Sequence, residues 1–143
     1  MKWILWIWCL CGVGTVNAQE FLGEPESEIR RFVGGKGGEP VVTGDTIGSR
    51  WQEEDERGRI FEVAYDFVMK DGRCDSYRKV VALHEYWAGV VKELVELQEG
   101  EGEGKAFEVE GVELFPLYRF EDAILKVEVK VDKLYLAFFR AEK

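Results

Sequence analysis

The sequence predicts an α+β domain: an antiparallel sheet of about five to six strands with two main helices on one face. Three observations predict it. Residues from Arg59 onward alternate apolar and polar up to an Asp71-Gly72 turn, His84 to Gln98 carries apolar residues at helical spacing, and the C-terminus alternates again. The order of helix, strand, strand, helix and further strands also suggests two αββ repeats.

In chain order, Met1-Lys2, the apolar run Trp3 to Val16 and the small-residue site Val16-Asn17-Ala18 read as a signal peptide at residues 1–18. A single α+β domain at residues 19–143 is what remains. The competing reading is a retained anchor, but fourteen residues fall short of the roughly 20 that a spanning helix needs. Lipid attachment at Cys9 or Cys11 would require a small preceding residue, where Trp8 and Leu10 stand.

Glu26 to Val33 reads as a short helix, with Pro25 near its start, acids in its first turn and Gly34-Gly35 at its end. Gly34 to Ser49 is Gly-rich, with an extended patch at Val41-Val42. Gln52 to Arg57 is a charge run, read as a solvated loop or strand edge. Phe61, Val63, Tyr65, Phe67 and Met69 then share one face of a strand, and Asp75 to Leu83 returns. An odd-length loop with Gly72 at positive φ would set Tyr77, Val81 and Leu83 beside that face and leave Cys74 at the hairpin tip. After the helix, "EGEGEG" reads as an acidic loop. Strands follow at Ala106 to Val109 and Leu114 to Phe120, then a hairpin turning at Asp132-Lys133, with Val129 opposite Leu136 and Val127 opposite Phe138.

Composition narrows the function. Signal removal takes away Lys2 and no acid, so the formal charge moves from −9 to −10. Nucleic acid and anionic membrane both recruit clustered Lys and Arg, and no such cluster stands in the sequence. Neither partner is expected. The chain from residue 19 holds one cysteine, Cys74, so no internal disulfide can form, and it has no Asn to carry a glycosylation sequon.

Candidate chemistry is sparse. Cys74 and His84 would have to meet to form a nucleophilic pair, but if both flank one strand, ten residues separate them by about 30 Å. Asp66 and Glu62 fall on the polar strand face, "GGKGG" lacks the phosphate-loop spacing, and "EEDE" lacks the alternating ligands of a calcium loop. No catalytic residue, cofactor or metal is assigned.

The aromatic residues point elsewhere. Tyr135 and Phe139 share the side of the last hairpin opposite Leu136 and Phe138, and with Tyr118 and Trp51 they are the candidate binding residues. Gly35-Lys36, Pro40 and "KDGRC" give residues 26 to 83, and to a lesser degree 84 to 139, a resemblance to exported helix-plus-hairpin modules of the β-lactamase-inhibitor-protein-like and SmpA/OmlA type. The resemblance implies a non-enzymatic binding role, with another envelope or secreted protein as partner. The alternative is a small secreted enzyme or ligand carrier, with a pocket lined by Asp or Glu in an α+β cone. The interior decides between them, since carboxylates in a cleft favour the second and apolar filling the first.

Overall fold

A computed structural model describes residues 20–141; the expected signal peptide at residues 1–18 lies outside the described residues. Among the described residues two helices form, α1 (Glu26–Gly35) and α2 (Glu85–Leu97). Four strands lie between them: β1 (Val41–Thr43), β2 (Thr46–Glu54), β3 (Ile60–Lys70) and β4 (Arg73–Ala82). Six follow α2: β5 (Glu101–Glu103), β6 (Phe107–Val109), β7 (Val112–Leu114), β8 (Leu117–Arg119), β9 (Ala123–Lys130) and β10 (Lys133–Arg140). Eight strands make one antiparallel sheet in the order β1-β2-β3-β4-β10-β9-β8-β5, and β6 pairs with β7 as a separate hairpin.

The domain is therefore mostly sheet. This corrects the expected α+β class, the strand number and the two αββ repeats, because four strands follow α1 and six follow α2. The missed strands are those whose exposed face carries glycine or charge. In β2 the outward Gly48, Arg50 and Gln52 mask the inward Ile47, Ser49 and Trp51, and the ladder with β3 from Thr46↔Val68 to Glu54↔Ile60 decides the conformation. The acidic "EGE" pairs with β8 as an edge strand, where its charges discourage further pairing. Pro116, which has no N–H to donate, divides the expected Leu114 to Phe120 strand into β7 and β8.

Helix α1 runs two residues beyond Val33 and ends in a Schellman motif, with Gly37 at φ 82° and bonds from Gly37 N to Gly34 O and Gly38 N to Val33 O. At the start of α2, His84 Nδ1 accepts the Tyr86 N–H at 3.1 Å, capping the helix.

The β3–β4 hairpin differs from its expected form in an instructive way. Asp71 and Gly72 both have positive φ, and Lys70 pairs with Arg73, so the turn has two residues of type I′ rather than an odd number. The odd residue is instead a bulge: Met69 faces Cys74 while Val68 faces Ser76. The bulge turns Cys74, Tyr77, Lys79 and Val81 all toward the core. Cys74 is consequently fully buried rather than exposed at a tip.

Helix α1 places Phe32 against Trp51, Tyr65 and Phe67, and α2 places Trp87 against Phe61, so both helices cover the same, inner face of the sheet. Phe21 lies among Phe32, Tyr65, Phe67 and Tyr77 at centroid distances of 4.5 to 5.9 Å. Residues 23 and 24 bond to Cys74, tying the N-terminal segment to β4. The last hairpin turns at Val131-Asp132 and pairs Val129 with Leu134 and Val127 with Leu136. It is offset by two residues from the expected register, which keeps every side chain on its expected face.

Candidate functional site

The outer face of the sheet carries neither helix, and a groove of about 1360 Å³ runs across it. Small side chains make its floor because the register aligns Gly48 opposite Asp66, Ala64 opposite Val80 and Arg78 opposite Ala137. One wall is β1, through Val41 and Thr43, and the other is β10, through Tyr135 and Phe139. Alternation alone puts these two aromatic residues outward, since Leu134, Leu136 and Phe138 occupy the inward phase.

Cations surround that aromatic wall. Arg78 lies 5.5 Å and Lys130 5.4 Å from the Tyr135 ring, and Lys126 lies 5.2 Å from the Phe139 ring. Arg78 also donates to Asp66 Oδ2 at 2.7 Å, an exposed pair that fixes geometry more than it stabilises the fold. The lining itself balances charge: Arg50, Arg78 and Lys133 stand with Glu39, Glu62 and Asp66, Arg50 pairing with Glu62 and Arg78 with Asp66, while Lys126 and Lys130 flank the aromatic wall.

Of the four binding residues expected from sequence, the structure brings together two. Tyr135 and Phe139 line the groove, whereas Trp51 and Tyr118 face the core at 7% and 4% exposure. Tyr118 Oη accepts the Phe115 N–H at 2.8 Å, and the Trp51 ring stacks on Tyr65 at 5.2 Å. Sequence reading missed Arg78 and the small floor residues, although the alternation that placed Ala64 and Asp66 outward was the signal for them.

It also missed Lys79. The inward phase of β4 reads Tyr77, Lys79, Val81, and a lysine between two buried apolar positions is the visible signal. Lys79 is 7% exposed, with its ammonium 4.6 Å from the Trp87 ring and 5.4 Å from the Tyr65 ring. Burial pulls its pKa down to about 8, against the attraction of Glu53 and Glu20. Three buried donors on this face, Trp51 Nε1, Trp87 Nε1 and Tyr77 Oη, meet no acceptor among the described residues.

The other chemistry-bearing groups are structural. Cys74 and His84 sit at opposite ends of β4, too far apart to share a proton, and burial pushes the Cys74 thiol up to about 12. His84 Nε2 lies 2.6 Å from Arg59 Nη1, while Arg59 Nε donates to Asp55 Oδ2 at 2.8 Å. Burial by itself would raise the Asp55 carboxyl. The backbone N–H groups of Arg59 and Arg57 and the Arg59 guanidinium outweigh it and hold the carboxyl below its usual range. The cluster locks the β2–β3 turn to the start of α2. Among the described residues no group of His, Cys, Asp and Glu could hold a metal ion.

Compared with protein-family models, curated proteins and solved structures, the chain matches none.

Proposed function

We propose that this chain is an exported, non-catalytic binding domain that receives another secreted or envelope protein on the outer face of its sheet. The observation that carries this reading is the groove: an uncovered sheet face with a small-residue floor and an aromatic wall, Tyr135 and Phe139, flanked by Arg78, Lys126 and Lys130. Tyrosine and phenylalanine offer large contact area for few frozen torsions, which is why such residues anchor interfaces. Lys126, Lys130 and Lys133 beside that wall favour a partner segment bearing carboxylates there. The aromatic filling of the inner face supports the same reading over an acid-lined catalytic pocket.

The test uses protein secreted by its native host, whose mature N-terminus is expected at Gln19 or its cyclised form by intact mass. Partner capture from the same medium is compared for the parent, the double variant Tyr135→Ser/Phe139→Ser and Arg78→Glu. Capture should fall at least tenfold in both variants while thermal unfolding stays within a few degrees of the parent. Undiminished capture by the double variant would remove the groove as the binding surface.

A further inference from the structure

The dimensions of the outer groove restrict what can lie in it. Register puts Asp66 opposite Arg78 and Ala64 opposite Val80 along the floor, with Ala137 beside Arg78 and Tyr135 beside Val80 on the β10 wall. Strands β2 and β10 are separated by β3 and β4, hence stand about 14 Å apart at the usual strand spacing, and the wall from Lys133 to Phe139 runs about 20 Å along the strands. An α-helix with its side chains is roughly 10–12 Å across and fits that width. The groove volume of 1360 Å³ would hold about 17 Å of a helix 10 Å wide, or about eleven residues.

Backbone chemistry selects the same shape. A sheet face offers only side chains, and those of Ala64, Val68, Val80 and Ala137 neither donate nor accept hydrogen bonds. The polar pair in the floor, Arg78 and Asp66, is closed on itself at 2.7 Å. An extended segment laid there would bury N–H and C=O groups without partners. A helix brings its own backbone bonds, whereas a partner sheet would rest on the walls and leave the floor uncovered. Charge then sets which flank of the helix is acidic. Arg50 meets Glu62, and Lys130 meets Glu128 at 3.7 Å, but among the described residues Lys126 and Lys133 make no ion pair. Lys126 lies opposite Ala137, which places it about 13 Å from the Lys133 position along the strands, close to two turns of helix.

We propose that the groove receives an amphipathic α-helix of the partner, lying along the strands with its apolar stripe on the floor and against Tyr135 and Phe139. Carboxylates about two turns apart on one flank of that helix face Lys126 and Lys133. The inference rests on the protein-binding reading above and names the element that the partner supplies. Such a helix covers the outer face as α1 and α2 cover the inner one.

Photocrosslinking tests it, with p-benzoylphenylalanine in place of Tyr135 in one sample of the mature chain and of Phe139 in another, each added to the medium of the native host. The two positions lie about 13 Å apart on one wall, so they should label partner residues seven or eight apart if the partner segment is helical, and about four apart if it is extended. The double variant Lys126→Glu/Lys133→Glu should capture the partner at least tenfold more weakly, and Ala64→Trp, which fills the floor, should do the same, with thermal unfolding close to the parent in both. Labels about four residues apart, labels on a second copy of this chain, or undiminished capture by the lysine double variant would each overturn the helix while leaving the binding reading in place. Capture that does not depend on Tyr135 and Phe139 would remove that reading and the helix with it.

Discussion

At the scale of single residues, the core contains two polar surprises, and both come from one bulge in β4. Cys74 was expected at an exposed tip, where replacement would be nearly free; at 0% exposure it is instead a small core side chain whose Sγ donates to Ser76 O at 3.4 Å. Lys79 is the costlier of the two. Its amine titrates at about 8 in the folded chain against 10.5 ordinarily; a difference of that size corresponds to about 3 kcal/mol disfavouring the buried charge. The unfolded chain therefore holds the proton between those pH values while the folded chain releases it. Stability rises with pH across that window, and the penalty is fully present below it. Lys79→Met should accordingly be the more stable protein at pH 7, with its advantage shrinking between pH 8 and 10.5. Urea unfolding at several pH values measures this, and a gap that does not change with pH would refute it.

At the scale of elements, turns decide register. Asp71-Gly72 was legible because its composition matches the type I′ geometry it adopts. The last hairpin was misread by two residues because its turn is made by Val131, a β-branched residue at φ 55° and 96% exposed, in place of the glycine that such a conformation favours. Cross-strand packing of Val127 with Leu136 and Leu125 with Phe138 overrides the local preference. Val131→Gly should therefore stabilise the domain by about 1 kcal/mol, the relief of left-handed strain exceeding the added freedom of the unfolded chain. A midpoint shift upward in chemical denaturation is the expected reading, and a downward shift would show that Val131 is comfortable where it stands.

At the scale of the whole molecule, the sheet divides the chain into a packed side and an open side. Val129 and Leu136, expected to be equivalent core partners, fall differently: Leu136 is 5% exposed, and Val129, near the hairpin end, is 40% exposed. Leu136→Ser should cost about 3 kcal/mol or more by losing packing and burying a hydroxyl, whereas Val129→Ser should cost about 1 kcal/mol or less. Thermal unfolding of the two variants separates them, and equal losses would mean that the end of the hairpin is covered. The same division gives Tyr135 and Phe139 their place. No helix covers them, because α1 and α2 both occupy the inner face.

By itself the sequence determined the features that depend on near neighbours. Period-two alternation assigned the faces of β3, β9 and β10, helical spacing located α2, and composition supplied the acidic charge. Even the misread hairpin kept its faces, because an offset of two residues preserves parity. Only the tertiary structure decided the rest. A strand such as β2 or β5, short of apolar residues or carrying charge, is extended because a neighbour completes its hydrogen bonds, and that neighbour is distant in sequence or too weakly marked to see. The same holds for the candidate site and for Lys79. The groove floor exists where Gly48, Ala64, Val80 and Ala137 come together from four strands, and the setting of Lys79 exists where α2 lays Trp87 over β4. Such surroundings are sums over distant segments, and no local pattern encodes them.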